Sequence, residues 1–184
     1  RSSCVLCKVV GVTVETADLL VAFGGTFYTS IVAHSAVISA GATSTTVTVD
    51  VTGDQIVDID ETFTVDLSAP LFNGMADATR VVIGDGSGLG TIVNDDTAAI
   101  SIDDVALAEG DSGTTSFTFT ISSDLVSSKD LAVTVDTADL LEAIGGTDYT
   151  SIVAQSAVIS AGATSTTVTV AVTGDQIVEI DETF

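Results

Sequence analysis

Hydrophobic and polar residues alternate with a period of two along most of the chain. In Thr115–Ile121 the two Phe residues and Ile121 fall on one side, and the hydroxyl residues fall on the other. The same alternation runs through Thr46–Val51, its later copy Thr167–Val172, and Thr62–Leu67. Thr on a wet face and Val or Phe on a dry face is typical of half-buried antiparallel strands. Further strands are predicted at 8–16, 31–39, 78–83, 89–93, 99–107, 129–137 and 152–160.

Glycine-containing turns separate the predicted strands and leave little room for helices. The turns are Gly-Gly at 24–25 and 145–146, Ala-Gly at 40–41 and 161–162, and a Gly-rich stretch at 84–88. Only Ala17–Phe23 and Ala138–Ile144 have room for a single helical turn. Short strands at this spacing predict an all-β chain built of sandwiches of two antiparallel sheets, with about seven strands per domain.

The chain repeats itself over a long distance. Residues 12–63 return at 133–184, an offset of 121, and only seven of the 52 positions differ. A period of this length means one whole domain per repeat. We place the boundary after Asp96, so that 1–96 is one repeat lacking its first strands and 97–184 is a second lacking its last strands. We expect the chain to be an internal segment of a longer polypeptide, because it starts at Arg1 and stops within the repeated pattern.

The charge balance restricts the partners. The chain has 26 acidic and four basic side chains, for a net charge of -22. Nucleic acids and anionic membrane surfaces need Lys and Arg, so we expect neither as a partner. No apolar run reaches the roughly 18 residues of a spanning helix, so direct membrane insertion is not expected. Hydrophobic residues make up 46% of the sequence, which favours a folded chain with cations as natural partners.

Carboxylates are concentrated in one short segment of each copy. The acidic residues are Asp54, Asp58, Asp60 and Glu61, then Asp95 and Asp96, and in the second copy Asp175, Glu179, Asp181 and Glu182. Hard oxygen ligands at this density suit Ca²⁺, and crowded carboxylates repel one another unless a cation lies between them. The alternative is a solvated acidic loop that keeps the protein soluble.

Several motifs resemble those of Calx-beta repeats. The first is Gly90–Asp96 followed by Ile100–Val105 and Glu109-Gly110, which is similar to the junction between two such repeats. The second is Gly-Asp-x-Ile-Val-Asp/Glu-Ile-Asp-Glu-Thr-Phe, preceded by Gly-Gly-Thr-Asp-Tyr at 145–149. The family occurs in sodium/calcium exchangers, in an integrin subunit and in very large bacterial surface proteins. The resemblance implies tandem immunoglobulin-like sandwiches whose calcium ligands lie in loops at one end.

The resemblance also implies a ligand set for Ca²⁺ in each copy. In the first copy the matching residues are Asp54, Asp58, Glu61, Asp95 and Asp96, with the carbonyl of Ile56. In the second copy they are Glu109, Asp148, Asp175, Glu179 and Glu182, with the carbonyl of Ile177. The position of Asp148 is Phe27 in the first copy, and the closing Asn-Asp-Asp of the second copy would come after Phe184, so we expect each copy here to hold only part of the family's site.

Other candidate chemistry has weaker support. Cys4 and Cys7 form a lone C-x-x-C pair; zinc would need a second ligand pair, and a local or intermolecular disulfide is the alternative. Ser112 lies in Gly-Asp-Ser-Gly, but a catalytic triad needs a His base, and His34 is replaced by Gln155 in the second copy. The Gly-rich stretch has no following Lys-Ser/Thr and therefore does not match a phosphate loop. The sequence predicts no catalytic residue and no enzyme activity.

The function most consistent with these features is a structural and adhesive calcium-binding module in the stalk or fibre of a large bacterial protein, extracellular or at the cell surface. Neighbouring repeats and a host or cell-surface ligand are the expected partners. Incomplete copies also leave strand edges that a neighbouring chain would complete. Two alternatives remain: a calcium-sensing regulatory domain of a membrane transporter, and a carbohydrate- or ice-binding surface on the Thr faces at 43–48 and 164–169.

Overall fold

The computed structural model describes residues 8–19, 26–140, 143–178 and 180–184, and its regular structure there is entirely β. No helix long and apolar enough to cross a membrane occurs within those ranges. The strands are β1 Val10–Asp18, β2 His34–Ile38, β3 Ile56–Val57, β4 Glu61–Phe72, β5 Met75–Ala76, β6 Ser87–Ile92, β7 Ile100–Ile102, β8 Gly113–Ser123, β9 Val126–Ser127, β10 Leu131–Val135, β11 Gln155–Ile159 and β12 Ser165–Gly174.

The chain folds as two compact units. Unit 1 comprises Arg1–Asp54 and Ile59–Asn94, and unit 2 comprises Gln55–Asp58 and Asp95–Phe184. Both belong to the tandem immunoglobulin-like, antiparallel β-sandwich architecture that the alternating pattern and the motifs predict. One short parallel pairing, between β3 and β9, departs from the antiparallel rule.

Unit 1 is organised around β4. Its sheet has the order β2-β1-β4-β5, and β6 also pairs with β4. At the start of β4, Phe63 is buried at 6% exposure and stacks on Tyr28 with ring centroids 4.4 Å apart. Gly90 lies opposite Phe63 in β6, where a Cβ atom would come within 2.5 Å of the Phe63 ring. The absence of a side chain at this position therefore makes room for the aromatic core.

Unit 2 contains the larger core. β8 pairs with β12 and β7 in one sheet, and β10 pairs with β11 in another. The alternation of β8 and β12 places apolar side chains on one face, where they pack against β11 and the turn before it. The buried apolar residues are Phe117, Ile121, Ala143, Tyr149, Ile152, Ala157, Ile159, Val168, Val170 and Val172. The period-two pattern thus determines which face of each strand is buried.

Two predicted strands are wrong. Among the described residues, Thr46–Val51 makes only an isolated bridge between Val51 and Tyr28, although all six residues of its copy, 167–172, pair with β8. In the predicted strand 78–83, residues 78–80 form a turn and 81–83 are irregular, because the Asp77 carboxylate accepts the Thr79 amide at 3.1 Å and thereby bends the backbone.

Neither predicted helical turn is a helix where it can be seen. Ala17 and Asp18 end β1, and residues 20–23 lie outside the described ranges. In the second copy the Ala143 amide donates to the Leu140 carbonyl at 3.0 Å, while residues 141 and 142 are not described.

Candidate functional site

Pairing of β8 with β12 brings two segments of the predicted ligand set together in unit 2. The register ends at Gly174 opposite Gly113, so the chain before β8 runs past the end of β12. A Cβ atom on Gly174 would lie 2.4 Å from the Gly110 carbonyl oxygen and 2.9 Å from that of Glu109. Thr115 Oγ1 donates to the Glu109 carbonyl and fixes this segment. The backbone of Glu109 therefore lies beside the residue that precedes Asp175.

The backbone of Asp148 also lies at this end of unit 2. The Thr173 amide donates to the Asp148 carbonyl at 2.7 Å, two residues before Asp175. The Asp148 amide in turn donates to the Ile144 carbonyl at 3.0 Å, which closes a tight turn around Gly145 and Gly146. Three predicted ligands from separate parts of the sequence, Glu109, Asp148 and Asp175, thus converge on the end of β12.

The carboxylates at this end bond to nearby backbone amides. Asp175 Oδ1 accepts the Ile177 amide at 2.6 Å, and Asp148 Oδ2 accepts the Ile144 amide at 2.7 Å. Glu182 is half-buried, and Glu179 lies outside the described residues. Nowhere in the described part of the chain do three or more Asp, Glu, His or Cys side chains form a group placed to hold a metal ion. The donor types fit calcium, but their present placement does not form its oxygen shell.

In the first copy, the predicted ligands are divided between the two units. Asp54 and Glu61 belong to unit 1, where Asp54 is exposed and Glu61 is buried at 4% exposure in β4. Neighbouring Asp60, outside the predicted ligand set, accepts the Asn94 amide at 3.1 Å, which ties the start of β4 to the chain after β6.

Ile56 and Asp58 belong to unit 2, as do Asp95 and Asp96. Ile56 pairs with Val126, the Ser127 hydroxyl donates to the Val57 carbonyl at 3.0 Å, and the Ser128 hydroxyl donates to Asp58 Oδ1. Asp95 is exposed and Asp96 is half-buried. Asp58 is thus assigned to unit 2 together with the two residues that pair with β9, whereas Asp54 and Glu61 are assigned to unit 1.

One set of contacts occurs in the same form within each unit, and the sequence analysis missed its residues. Tyr28 donates from its hydroxyl to Asp18 Oδ1 at 2.5 Å, and its copy Tyr149 donates to Asp139 Oδ1 at 2.6 Å. Tyr149 stacks on Phe184 with centroids 4.4 Å apart, as Tyr28 does on Phe63. The available signal was that Asp, Tyr and Phe are identical in both copies at these positions. Each unit is thus fastened by an Asp–Tyr–Phe anchor.

The anchor perturbs the pKa values of its own groups. The Tyr149 hydroxyl, followed by the Gly145 amide, holds the pKa of Asp139 below its ordinary value of 3.8. The hydrogen bond to Asp139, followed by burial, raises the pKa of Tyr149 above 10.0. In unit 1, burial and then the bond to Asp18 raise the pKa of Tyr28 in the same direction.

We expect Tyr149→Phe to change how the stability of unit 2 depends on pH. A carboxylate with a lowered pKa contributes stability above its unfolded value near 3.8, which is lost as the pH falls through the folded value. A phenol with a raised pKa contributes stability below 10.0, which is lost as the pH rises through the folded value. Denaturant unfolding should therefore show a wild-type advantage at neutral pH that shrinks at both extremes. A difference between the two proteins that does not vary with pH would contradict this assignment.

On the exposed Thr face of β8 and β12, two Thr hydroxyls hydrogen-bond to each other across the strands. Thr118 and Thr169 lie opposite each other, and their hydroxyls are 3.1 Å apart. Thr120 faces Thr167 in the same register. Cross-strand Thr pairs stabilise antiparallel sheets, so this exposed face has a structural role that needs no ligand.

The remaining sequence candidates have ordinary structural positions. His34 is the exposed first residue of β2, and Ser112 is exposed in the turn before β8. Cys4 and Cys7 lie outside the described residues.

Comparisons with known proteins give a similar solved structure and a family match. A crystal structure described as "CBD12 from CALX1.2" is similar to the chain at 17% identity and a TM-score of 0.39, covering 94% of this chain. The chain spans 66% of the length of that structure, which is just under two thirds. Comparison with curated protein sequences gives no match.

The family comparison is more extensive. The Calx-beta domain model matches the chain twice, over residues 1–104 and 94–184. This is a regulatory and structural family, not a catalytic one, known from calcium-binding regulatory domains of exchangers and from bacterial repeats. Since the two matches together span the sequence from its first residue to its last, the chain belongs to the Calx-beta family.

Proposed function

We propose that the chain is a structural repeat module from the stalk or fibre of a large extracellular bacterial protein, and that its acidic loops bind calcium. The partners would be the neighbouring repeats of the same polypeptide or fibre, together with a host or cell-surface ligand. The net charge of -22 favours a cation-rich environment over contact with nucleic acid.

The observation that carries the structural role is the duplication of the core contacts. Besides the Asp–Tyr–Phe anchor, Thr16 exchanges backbone and side-chain bonds with Ile31, and its copy Thr137 does the same with Ile152. Phe27, by contrast, stands where the second copy has a predicted ligand, Asp148. A chain that repeats its scaffold gains length or avidity, as expected of a stalk.

The calcium-binding part of the proposal is supported by the end of β12 in unit 2. Glu109, Asp148 and Asp175 converge there, and like charges brought together repel unless a cation lies between them. Binding would require the Asp148 and Asp175 carboxylates to exchange their bonds with the Ile144 and Ile177 amides for bonds to the cation. The necessary movement is confined to short loops beside a rigid strand end.

We expect calcium to raise the thermal unfolding temperature of the chain, with little effect from magnesium, whose tight octahedral shell such loops do not offer. A site present only in the folded state adds about 2.7 kcal/mol when calcium is at a hundredfold excess over its Kd. Asp175→Asn should abolish most of this gain. Asp136→Asn is the matched control, because Asp136 also accepts one backbone amide, that of Ala154 at 2.7 Å, but is not a predicted ligand.

The outcomes separate the two parts of the proposal. A calcium shift that Asp175→Asn removes and Asp136→Asn retains supports the site at the end of β12. An equal shift with magnesium, or none with either ion, would overturn calcium binding and leave the structural role, because the repeated core contacts do not depend on a cation.

A further inference from the structure

The hairpin of β4 and β5 in unit 1 turns on an Asn-Gly pair. Phe72 pairs with Met75, so Asn73 and Gly74 alone form the loop. Both have a left-handed backbone, with φ of 52° at Asn73 and 80° at Gly74. Positive φ at both positions is the pattern of a type I′ turn, which Asn-Gly adopts more readily than other pairs. Both residues are exposed, so water has access to the turn.

The same pair of residues is chemically reactive. The main-chain nitrogen of Gly74 follows the Asn73 side chain directly, and its attack on the side-chain amide carbon closes a succinimide ring. Glycine permits this attack because it has no side chain beside the nitrogen. No atom lies within 4 Å of a Cβ placed at Gly74, so the surrounding structure also leaves this side of the turn open.

The hairpin can open without disturbing the core of unit 1. Ring closure requires the backbone at Asn73 to leave the turn conformation. β5 consists only of Met75 and Ala76, and both are exposed, Met75 by 68%. On the other side, the Asn73 amide is held by one bond, which it donates to the Val9 carbonyl at 2.8 Å. Short exposed elements of this kind open locally at a low cost in free energy.

Two of the four basic side chains of the sequence lie beside this turn. Lys8 Nζ is 5.2 Å and Arg80 Cζ is 5.9 Å from the ring centroid of Phe72, the residue before Asn73. Arg80 also forms an ion pair with Asp77. Nearby cations favour the charged form of a carboxyl group. In a chain with a net charge of -22, this turn is therefore a favourable place for one further negative charge.

We propose that Asn73 is a site of spontaneous covalent modification, at which the side-chain amide becomes a carboxylate without an enzyme. The Gly74 nitrogen bonds to the Asn73 side-chain carbon and loses its proton, and the side-chain nitrogen leaves as ammonia. Water then opens the ring. Cleavage at the side-chain carbon gives Asp, and cleavage at the main-chain carbon gives isoaspartate. The reaction goes beyond the proposed function, because it requires neither a cation nor a neighbouring repeat.

The two products differ in their effect on the hairpin. Asp leaves the main chain unchanged and, like Asn, tolerates a left-handed backbone. Isoaspartate adds a carbon atom to the main chain of the loop, so the pairing of Phe72 with Met75 is not retained. Formation of isoaspartate should therefore reduce the protection of the Met75 and Ala76 amides against hydrogen exchange.

The test is mass spectrometry of the full chain after incubation in mildly alkaline water labelled with heavy oxygen. Incubation lasts many times longer than a synthetic peptide of residues 71–76 needs to react completely, because the folded hairpin must first open. We expect Asn73 to exchange its side-chain nitrogen for labelled oxygen and to give both Asp and isoaspartyl forms. Asn94, which precedes Asp95, is the internal control and should stay unchanged. Asn73→Gln should abolish the reaction, because the longer side chain does not close the same ring.

Each other outcome would overturn the proposal. No change at Asn73 means that the hairpin protects its loop. Equal conversion at Asn94 means that the Gly neighbour and the open turn do not determine where the reaction occurs. Formation of Asp without isoaspartate means that water attacks the side chain directly and that the Gly74 nitrogen takes no part.

Discussion

Replacing Phe63 with Ala should destabilise unit 1 by about 3–5 kcal/mol, the usual loss when a buried aromatic side chain is removed. The ring is 6% exposed, stacks on Tyr28 and lies against Gly90, so little of the resulting space would be filled without movement of the sheet. Hydrogen exchange of β4 and β6 amides measures this loss for unit 1 separately, because exchange reports local opening.

Phe184→Ala is the matched control in the second copy. Phe184 occupies the same repeat position and stacks on Tyr149, but it is half-buried and lies outside any strand. Its removal should therefore cost unit 2 less than Phe63→Ala costs unit 1. A loss below about 1 kcal/mol for Phe63→Ala, within the range of ordinary substitutions, would contradict the importance assigned to the anchor.

Gly174→Ala should destabilise unit 2 by about 1–3 kcal/mol, the usual cost of inserting an atom into a packed site. The new Cβ would lie 2.4 Å from the Gly110 carbonyl oxygen, which belongs to the backbone and cannot rotate away as a side chain does. The displaced segment contains Glu109, so the substitution should also weaken any calcium effect on thermal unfolding. Denaturant unfolding with and without calcium measures both changes.

Gly53→Ala provides the control at the same repeat position in the first copy. No atom lies within 4 Å of a Cβ placed there. An Ala at an unhindered position commonly stabilises by about 0.4–1 kcal/mol through the unfolded chain. If the two substitutions had the same effect, the close approach of Gly174 to the chain before β8 would be wrong.

The strands of unit 2 were predictable because their side chains alternate strictly. Phe117 and Ile121 in β8, and Val168, Val170 and Val172 in β12, are buried as the period of two requires. The same pattern failed at 46–51, whose sequence matches residues 167–172 except at Asp50. A strand needs a partner as well as a pattern, and among the described residues 46–51 is bridged only at Val51, to Tyr28.

The candidate site was only partly predictable from the sequence. Glu109, Asp148 and Asp175 are far apart in sequence, and only the Calx-beta resemblance predicts them as one ligand set. The structure places the backbones of Glu109 and Asp148 beside the end of β12, and the ligand set itself stays a prediction. Asp54 and Asp58 are close in sequence but belong to different units, because the intervening Ile56 and Val57 pair with β9. A parallel pairing of only two residues is too short to show a periodic pattern of hydrophobic and polar residues in the sequence.

The Asp–Tyr–Phe anchor escaped prediction for another reason. Asp18 and Asp139 lie in the segments Ala17–Phe23 and Ala138–Ile144, for which the sequence predicts at most a helical turn. A hydrogen bond to a Tyr ten residues away leaves no trace in a hydropathy pattern. These residues are identical in the two copies, but so are most other positions of the repeat, so identity does not single them out.

Calorimetric titration of the chain with calcium, with magnesium as the reference, tests the central claim most directly. Our account predicts saturable calcium binding that magnesium does not reproduce and that Asp175→Asn removes from unit 2. Heat that never saturates, or identical curves for the two ions, would contradict the account and identify the acidic loops as a solvated surface of a purely structural repeat.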